Sequence, residues 1–413
     1  MKPTKRAAYP KLRSIDIRHH IQNGQQYLLL RDPLQLSEHI LLIPQPLAAV
    51  LAFCDGSYSP RGMAQAFHAH YGIPIGEDFV HQLVRALDEA CLLDNERTQD
   101  ALEAVREQFR QAPFRPPVSA GGSYPADPNE LHQTLESYRQ KAKNGPLPLS
   151  PLTPTPAFGL LSPHIDYPRG GLVYAQVWER AASAVQEADL VIIFATDHYG
   201  SDPFTLTRQN YATPYGILPT ATAIVDQLAA ALGEEAAFAG ELRHRGEHSL
   251  ELVTVWLHHL RNRRPVEIVP ILCGGFHRFY SNGGNPGHDP QIEQVLNVLR
   301  AATVGRSVVV VASGDLAHVG PAFGQEPLDA QTRAFVHKTD QTLIQHMCAG
   351  DAEGFYRTIH AIGDQNNVCG VAPIYLTMKF LGQVEGTPTG YASCPADDAN
   401  TSAVTVGGVI WQG

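Results

Sequence analysis

Five short segments hold the side chains best suited to chemistry. They read Ser162-Pro163-His164-Ile165-Asp166-Tyr167-Pro168-Arg169-Gly170-Gly171, Ala195-Thr196-Asp197-His198-Tyr199-Gly200, Gly246-Glu247-His248-Ser249-Leu250-Glu251, Ser313-Gly314-Asp315-Leu316-Ala317-His318-Val319-Gly320 and Asn367-Val368-Cys369-Gly370-Val371-Ala372-Pro373. A neutral imidazole at a strand end, such as His164, can serve as a metal ligand. Glu247 and His248 open an apparent helix through about Leu260 and so lie in the field of its dipole. The i,i+3 spacing of Asp315 and His318 brings both side chains to one side if that turn is helical. Cys369 sits in a turn framed by Gly and Pro just before a helix, where the helix N-terminus favours thiolate.

Groups so far apart in the chain need a framework to bring them together. Past residue 156 the apolar runs Ala157–Ser162, Leu190–Ala195, Val266–Cys273 and Ser307–Ala312 alternate with helical stretches. Continuous apolar runs fit strands covered on both faces of an α/β sheet that is mixed but largely parallel and flanked by helices. In open sheets of this kind ligands gather at the carboxyl ends of the strands. Polar, reactive groups follow each run within a few residues.

The remaining composition bounds the answer. The chain has 413 residues, 44% of them hydrophobic and 17% charged, enough for large cores in two or three domains. Proline-rich stretches at 112–122 and 146–156 read as linkers, with a boundary near 115. Residues 20–112 form a small α+β unit. Strands are expected at Tyr27–Arg31 and His39–Ile43, and helices at Pro46–Phe53, from Pro60 to about His70, over 78–91 and over 98–110. Net charge is −10, yet residues 1–115 hold 13 basic and 13 acidic residues, so the deficit lies wholly beyond them. Neither part has the basic footprint of a nucleic-acid binder. No apolar run approaches ~20 residues, so no membrane span is expected. The basic start is followed by no apolar signal core, and the six cysteines are widely spaced, both of which suit a cytoplasmic chain with reduced thiols. Cys54, Cys91, Cys273 and Cys348 read as core thiols, and His258, His259 and His277 as surface groups.

The five segments in this order, with the lead-in Ala120-Gly121-Gly122-Ser123-Tyr124-Pro125-Ala126-Asp127-Pro128, resemble the MEMO family, also described as protein B of the AmmeMemoRadiSam system. The resemblance spans about 117–413 and implies a fold similar to that of class III extradiol dioxygenases of the LigB type. It implies a metal site of His164, His198 and Cys369, with Fe(II) favoured and Cu or Zn as alternatives. It implies proton-handling or orienting roles for Glu247, His248, Asp315 and His318, with Asp166, Tyr167, Arg169 and Asp197 facing substrate. It also implies radical-SAM and AMMECR1-like partner proteins in a modification pathway. Two departures, Ile165-Asp166 for Ala-Gly and Ala195-Thr196-Asp197 for Gly-Pro-Ser, set an extra carboxylate beside a proposed ligand and are expected to alter metal preference or substrate charge. The first unit resembles a PqqD-like, winged-helix domain on its Asp55-Gly56-Ser57-Tyr58-Ser59 turn and its Leu83…Leu92-Leu93 close, which implies peptide capture by strand addition. The competing expectation is a non-enzymatic module that binds a metal or a peptide in the same cleft.

Overall fold

A computed structural model describes residues 9–13, 15–144 and 158–413. The proline stretch 146–156 and Ala157 lie outside the described residues. The chain divides into two compact units, Met1–Gln111 and Ala112–Gly413.

Among its described residues the first unit has a three-stranded antiparallel sheet, three long helices and a short helical turn. Its strands are β1 (Asp16–Gln22), β2 (Gln25–Arg31) and β3 (Leu41–Pro44), in that spatial order. Its helices are Pro60–Tyr71, Glu77–Glu89 and Glu96–Gln111. Ser59 Oγ accepts from the Gly62 amide to cap the first helix, and Gly72 at φ 69° closes it. Leu30, Val50, Met63, Phe67, Val80 and Leu87 build one core. β1 is not expected from the sequence, because its polar composition hides its role. The Asn23-Gly24 pair between β1 and β2 is nevertheless a hairpin signal, and both residues take positive φ, 52° and 75°. The expected 46–53 helix is a short α turn, Gln45–Ala48, followed by a 3-10 turn, Ala49–Phe53.

The second unit is built on a mixed, largely parallel sheet. Its strands are β4 (Phe158–Ser162), β5 (Leu190–Thr196), β6 (Thr205–Leu206), β9 (Glu267–Cys273), β10 (Val308–Ser313), β11 (His318–Val319), β12 (Glu385–Pro395) and β13 (Ala403–Gln412). A separate hairpin comprises β7 (Tyr211–Thr213) and β8 (Gly216–Leu218). The spatial order is β11-β13-β4-β10-β5-β9-β6, with β12 also on β13. The four central strands β4, β10, β5 and β9 are parallel, and antiparallel strands flank them.

The continuous apolar runs follow from two cores, one on each face. Leu190, Ile192 and Phe194 of β5 enter one, and Val191, Ile193 and Ala195 the other. Strand side chains alternate faces, so a strand covered on both sides has no polar position to spare. Helices Pro128–Lys143, Tyr167–Arg180 and His248–Leu260 cover one face; Pro290–Ala302, Ala330–Cys348 and Val371–Leu381 contribute to the other. Among the described residues no helix is long and apolar enough to cross a membrane.

Register sets the site. Ser313 pairs with Ser162 on one side and Ala195 on the other. Three adjacent parallel strands therefore end level, and the segments carrying His164, His198 and Asp315 leave from one edge.

Candidate metal centre

The three strand ends, the loop before Val371–Leu381 and the start of His248–Leu260 converge here. Cys369 Sγ lies 3.2 Å from His164 Nε2. The His198 ring is electrostatically coupled to the same sulfur. Its Nδ1 is taken by Glu247 Oε1 at 2.9 Å, which leaves Nε2 for Cys369. His248 stacks on His198 with ring centroids 4.6 Å apart, and His164 stands edge-on to both. The ligand atoms fall into two overlapping groups, each within 4.8 Å: His164, His198 and His248, and His164, Asp315 and Cys369. His164 belongs to both. It is buried, whereas His198 and His248 reach solvent, so the cluster has a dry floor and an open side.

Backbone packing brings the sulfur in. A Cβ on Gly314 would lie 2.5 Å from Gly370 Cα, and one on Gly370 2.7 Å from the Asp315 carbonyl oxygen. Only two glycines permit this approach. The Gly370 amide donates to the Asp315 carbonyl, the Asp315 amide faces Cys369 Sγ at 3.3 Å, and Thr196 Oγ1 donates to the Cys369 carbonyl at 3.0 Å.

One buried carboxylate orients two rings. Glu247 Oε2 accepts from the His198 amide at 2.9 Å. Its Oε1 meets His198 Nδ1, His248 Nδ1 at 3.2 Å and the Ser249 amide at 3.0 Å. Glu247 thus caps the His248–Leu260 helix and fixes the histidines together. Burial alone would raise its pKa, but the charges and hydrogen bonds of His198 and His248 hold it well below the usual range. Burial opposes protonation of His198, yet Glu247 and Cys369 raise its pKa well above the ordinary value. His164 is pushed well below, first by burial and then by the neighbouring imidazoles. Asp315 Oδ1 accepts from the His164 amide at 2.8 Å, and burial raises its carboxyl to about 6.

Several expectations need correction. The Asp315–His318 stretch forms no helical turn: the Leu316 amide pairs with the Thr405 carbonyl and His318 begins β11. His318 is felt electrostatically by His164 but lies outside both ligand groups; its Nδ1 faces the Leu316 carbonyl, its ring packs on Phe323, and burial lowers its pKa to about 4. Burial pushes the Cys369 thiol up and outweighs the lowering influence of His198, contrary to the depression expected at a helix start. Tyr167 is fully buried and donates to the Leu252 carbonyl at 2.6 Å, so it presents nothing to a substrate. The Asp197 side chain is also buried, salt-bridged to Arg243 at 2.7 Å. Asp166 caps the Tyr167–Arg180 helix and pairs with Arg169, which also donates to the Pro395 carbonyl. Each extra carboxylate is therefore paired with a guanidinium, Arg243 being shared between Asp197 and Asp202. His258 and His259 are buried, bonded to Thr213 and to Glu136 respectively, while His277 is exposed.

Supports not expected from the sequence hold the site together. Ser313 Oγ donates to the Ser249 carbonyl and Ser249 Oγ to the Thr196 carbonyl, both at 2.7 Å, lacing the helix start to the strand ends. Glu251 is buried and accepts from Arg115, the Val118 and Ser119 amides and Tyr124 Oη. Arg115 also donates to the Glu247 carbonyl at 2.9 Å. The lead-in segment is thereby tied to the helix that carries Glu247 and His248. The i,i+4 placement of Glu251 after Glu247 was the available signal.

Two imidazoles and a sulfur with one open side form a donor set that fits a transition metal. A family model described as Memo-like protein matches residues 115–406. A MEMO1 family protein of Aquifex aeolicus is 27% identical over 320 residues, covering 76% of this chain and 77% of its own length. Others from Nitrosopumilus maritimus, at 25% identity over 72% of this chain and 98% of the relative, and from Thermus thermophilus, at 26% over 78% and 89%, match the same way. The chain belongs to the Memo-like protein family.

Proposed function

We propose that the chain binds a redox-active transition metal, Fe(II) in preference to Cu, through His164, His198 and Cys369, with Zn as the redox-inert alternative, and acts as an oxidoreductase in a modification pathway. The carrying observation is the 3.2 Å contact of His164 Nε2 with Cys369 Sγ, with the His198 ring packed edge-on against His164, at a level strand edge. A bound redox metal would supply O2 or superoxide chemistry; zinc would supply a Lewis acid. Glu247 holds His198 in the tautomer and direction a ligand requires. His248, stacked on His198 and reaching solvent, is the group suited to pass a proton to or from a bound molecule. Asp315 fixes the His164 backbone. Half-buried Asp166 and exposed Arg169 form an ion pair that suits a polar substrate. The radical-SAM and AMMECR1-like partners, and peptide capture at the β1 edge of the first unit, where Ile17 and Ile21 are exposed, belong to the same proposal.

The proposed set draws His198 from one ligand group and Cys369 from the other; a second reading rests on the first group alone, the three imidazoles of His164, His198 and His248, with Cys369 as neighbour. Co(II) substitution separates the two. A sulfur-to-metal charge-transfer band that disappears in Cys369→Ala supports the first set; unchanged cobalt binding and spectrum in that variant support the second. Elemental analysis of anaerobically purified protein tests the metal's identity. Bound metal without turnover across catechol-like and radical-enzyme products would support a non-enzymatic binding module instead.

A further inference from the structure

We propose a second divalent-cation site, formed by His132, Glu136 and His259 on the face of the unit covered by helices Pro128–Lys143 and His248–Leu260. The three ligand atoms lie within 4.8 Å of one another. His132 and Glu136 are i,i+4 on one helix, so their side chains rise from the same face. His259 approaches from the second helix, with Nε2 3.0 Å from Glu136 Oε1 and Nδ1 3.3 Å from Tyr215 Oη. Nε2 is therefore the inward nitrogen, and the tyrosine steadies the ring from behind, as the outer partner of a ligating histidine does.

The donor set differs from that of the family site. Two imidazoles and one carboxylate oxygen, with no sulfur, suit zinc, nickel or cobalt, and three protein ligands leave room for water. Burial is graded as in an accessible metal site: His259 is buried, Glu136 half-buried and His132 exposed. Arg139 competes for Glu136, but it is also paired with Glu179 and keeps that partner when a cation takes the Glu136 oxygen. The two sites are independent. His248 begins the shared helix and His259 stands eleven residues on, about 16 Å along the axis at ~1.5 Å per residue.

The test is Co(II) binding to the full chain, by equilibrium dialysis with elemental analysis and visible spectra. The inference requires an equivalent that survives in the His164→Ala, Cys369→Ala double variant and shows ligand-field bands without a sulfur charge-transfer band. His132→Ala, a change at an exposed position, should weaken that equivalent by about tenfold or more, as should Glu136→Gln. Thermal melts control for folding. Cobalt binding absent from the double variant, or undiminished by both His132→Ala and Glu136→Gln, overturns the site. Failure of the Cys369-containing centre would instead show as a missing sulfur band in the parent, so the two proposals fail separately.

Discussion

Glu247→Gln is the sharpest probe of the metal centre, because one oxygen swap disturbs four donors. Oε2 faces one backbone N–H, and Oε1 faces two ring nitrogens and a second N–H. An amide has one acceptor oxygen and an NH2. Whichever way it turns, an N–H group meets donors in a fully buried place. Leaving a buried donor unsatisfied costs about 1–3 kcal/mol, so the melting temperature should fall measurably. Loosening the outer partner of a ligating histidine typically weakens metal affinity about 10–100-fold, or about 1.4–2.7 kcal/mol. Calorimetric titration with Zn(II), with and without a chelator competitor, measures this directly. A double-mutant cycle with His198→Ala isolates the route: if Glu247 acts by orienting His198, the double variant binds no more weakly than His198→Ala alone. Affinity within twofold of the parent, or losses that simply add, would refute the orienting role.

Arg243→Met should strand the buried Asp197 charge and cost about 3–5 kcal/mol of stability, read by denaturant unfolding, with Asp197→Asn in the same chain restoring much of it. Gly314→Ala must push the Cys369 loop off the strand end, since the new Cβ would lie 2.5 Å from Gly370 Cα; metal affinity should fall by more than the change in unfolding free energy explains. Asp340 is buried beneath Tyr391 and its pKa is raised to about 6, chiefly by burial. A raised carboxyl favours folding below its unfolded value near ~4 and loses that contribution as pH rises through about 6, by about 2–3 kcal/mol in all. Stability should therefore decline over that window, and Asp340→Asn should flatten the decline; a parallel pH profile in the variant would contradict this.

The second unit was largely legible because its strands face two cores, so Leu190–Thr196 or Val308–Ser313 could hardly be anything else. The segments at their ends were legible as types and order. What could not be read was where side chains turn. Asp315 and His318 share a helical spacing, but β13 captures Leu316 and draws the stretch out straight. Asp197 follows a strand like a site residue, yet Arg243, distant in sequence, claims it. His258 and His259 look solvated because histidine usually is, while partners for both rings come from remote segments and leave them buried. In the first unit β1 was lost to its polar side chains.

The level ending of β4, β10 and β5 also constrains assembly. His164, His198 and Cys369 each come from a different loop, and no two of them become neighbours until the central strands have paired in register. A slip of one residue in β10 would reverse the facing of Ser313 and of all that follows it. The nascent chain therefore has no partial version of the pocket, and a captured ion would report that the whole central sheet has closed, stabilising only that state by mass action.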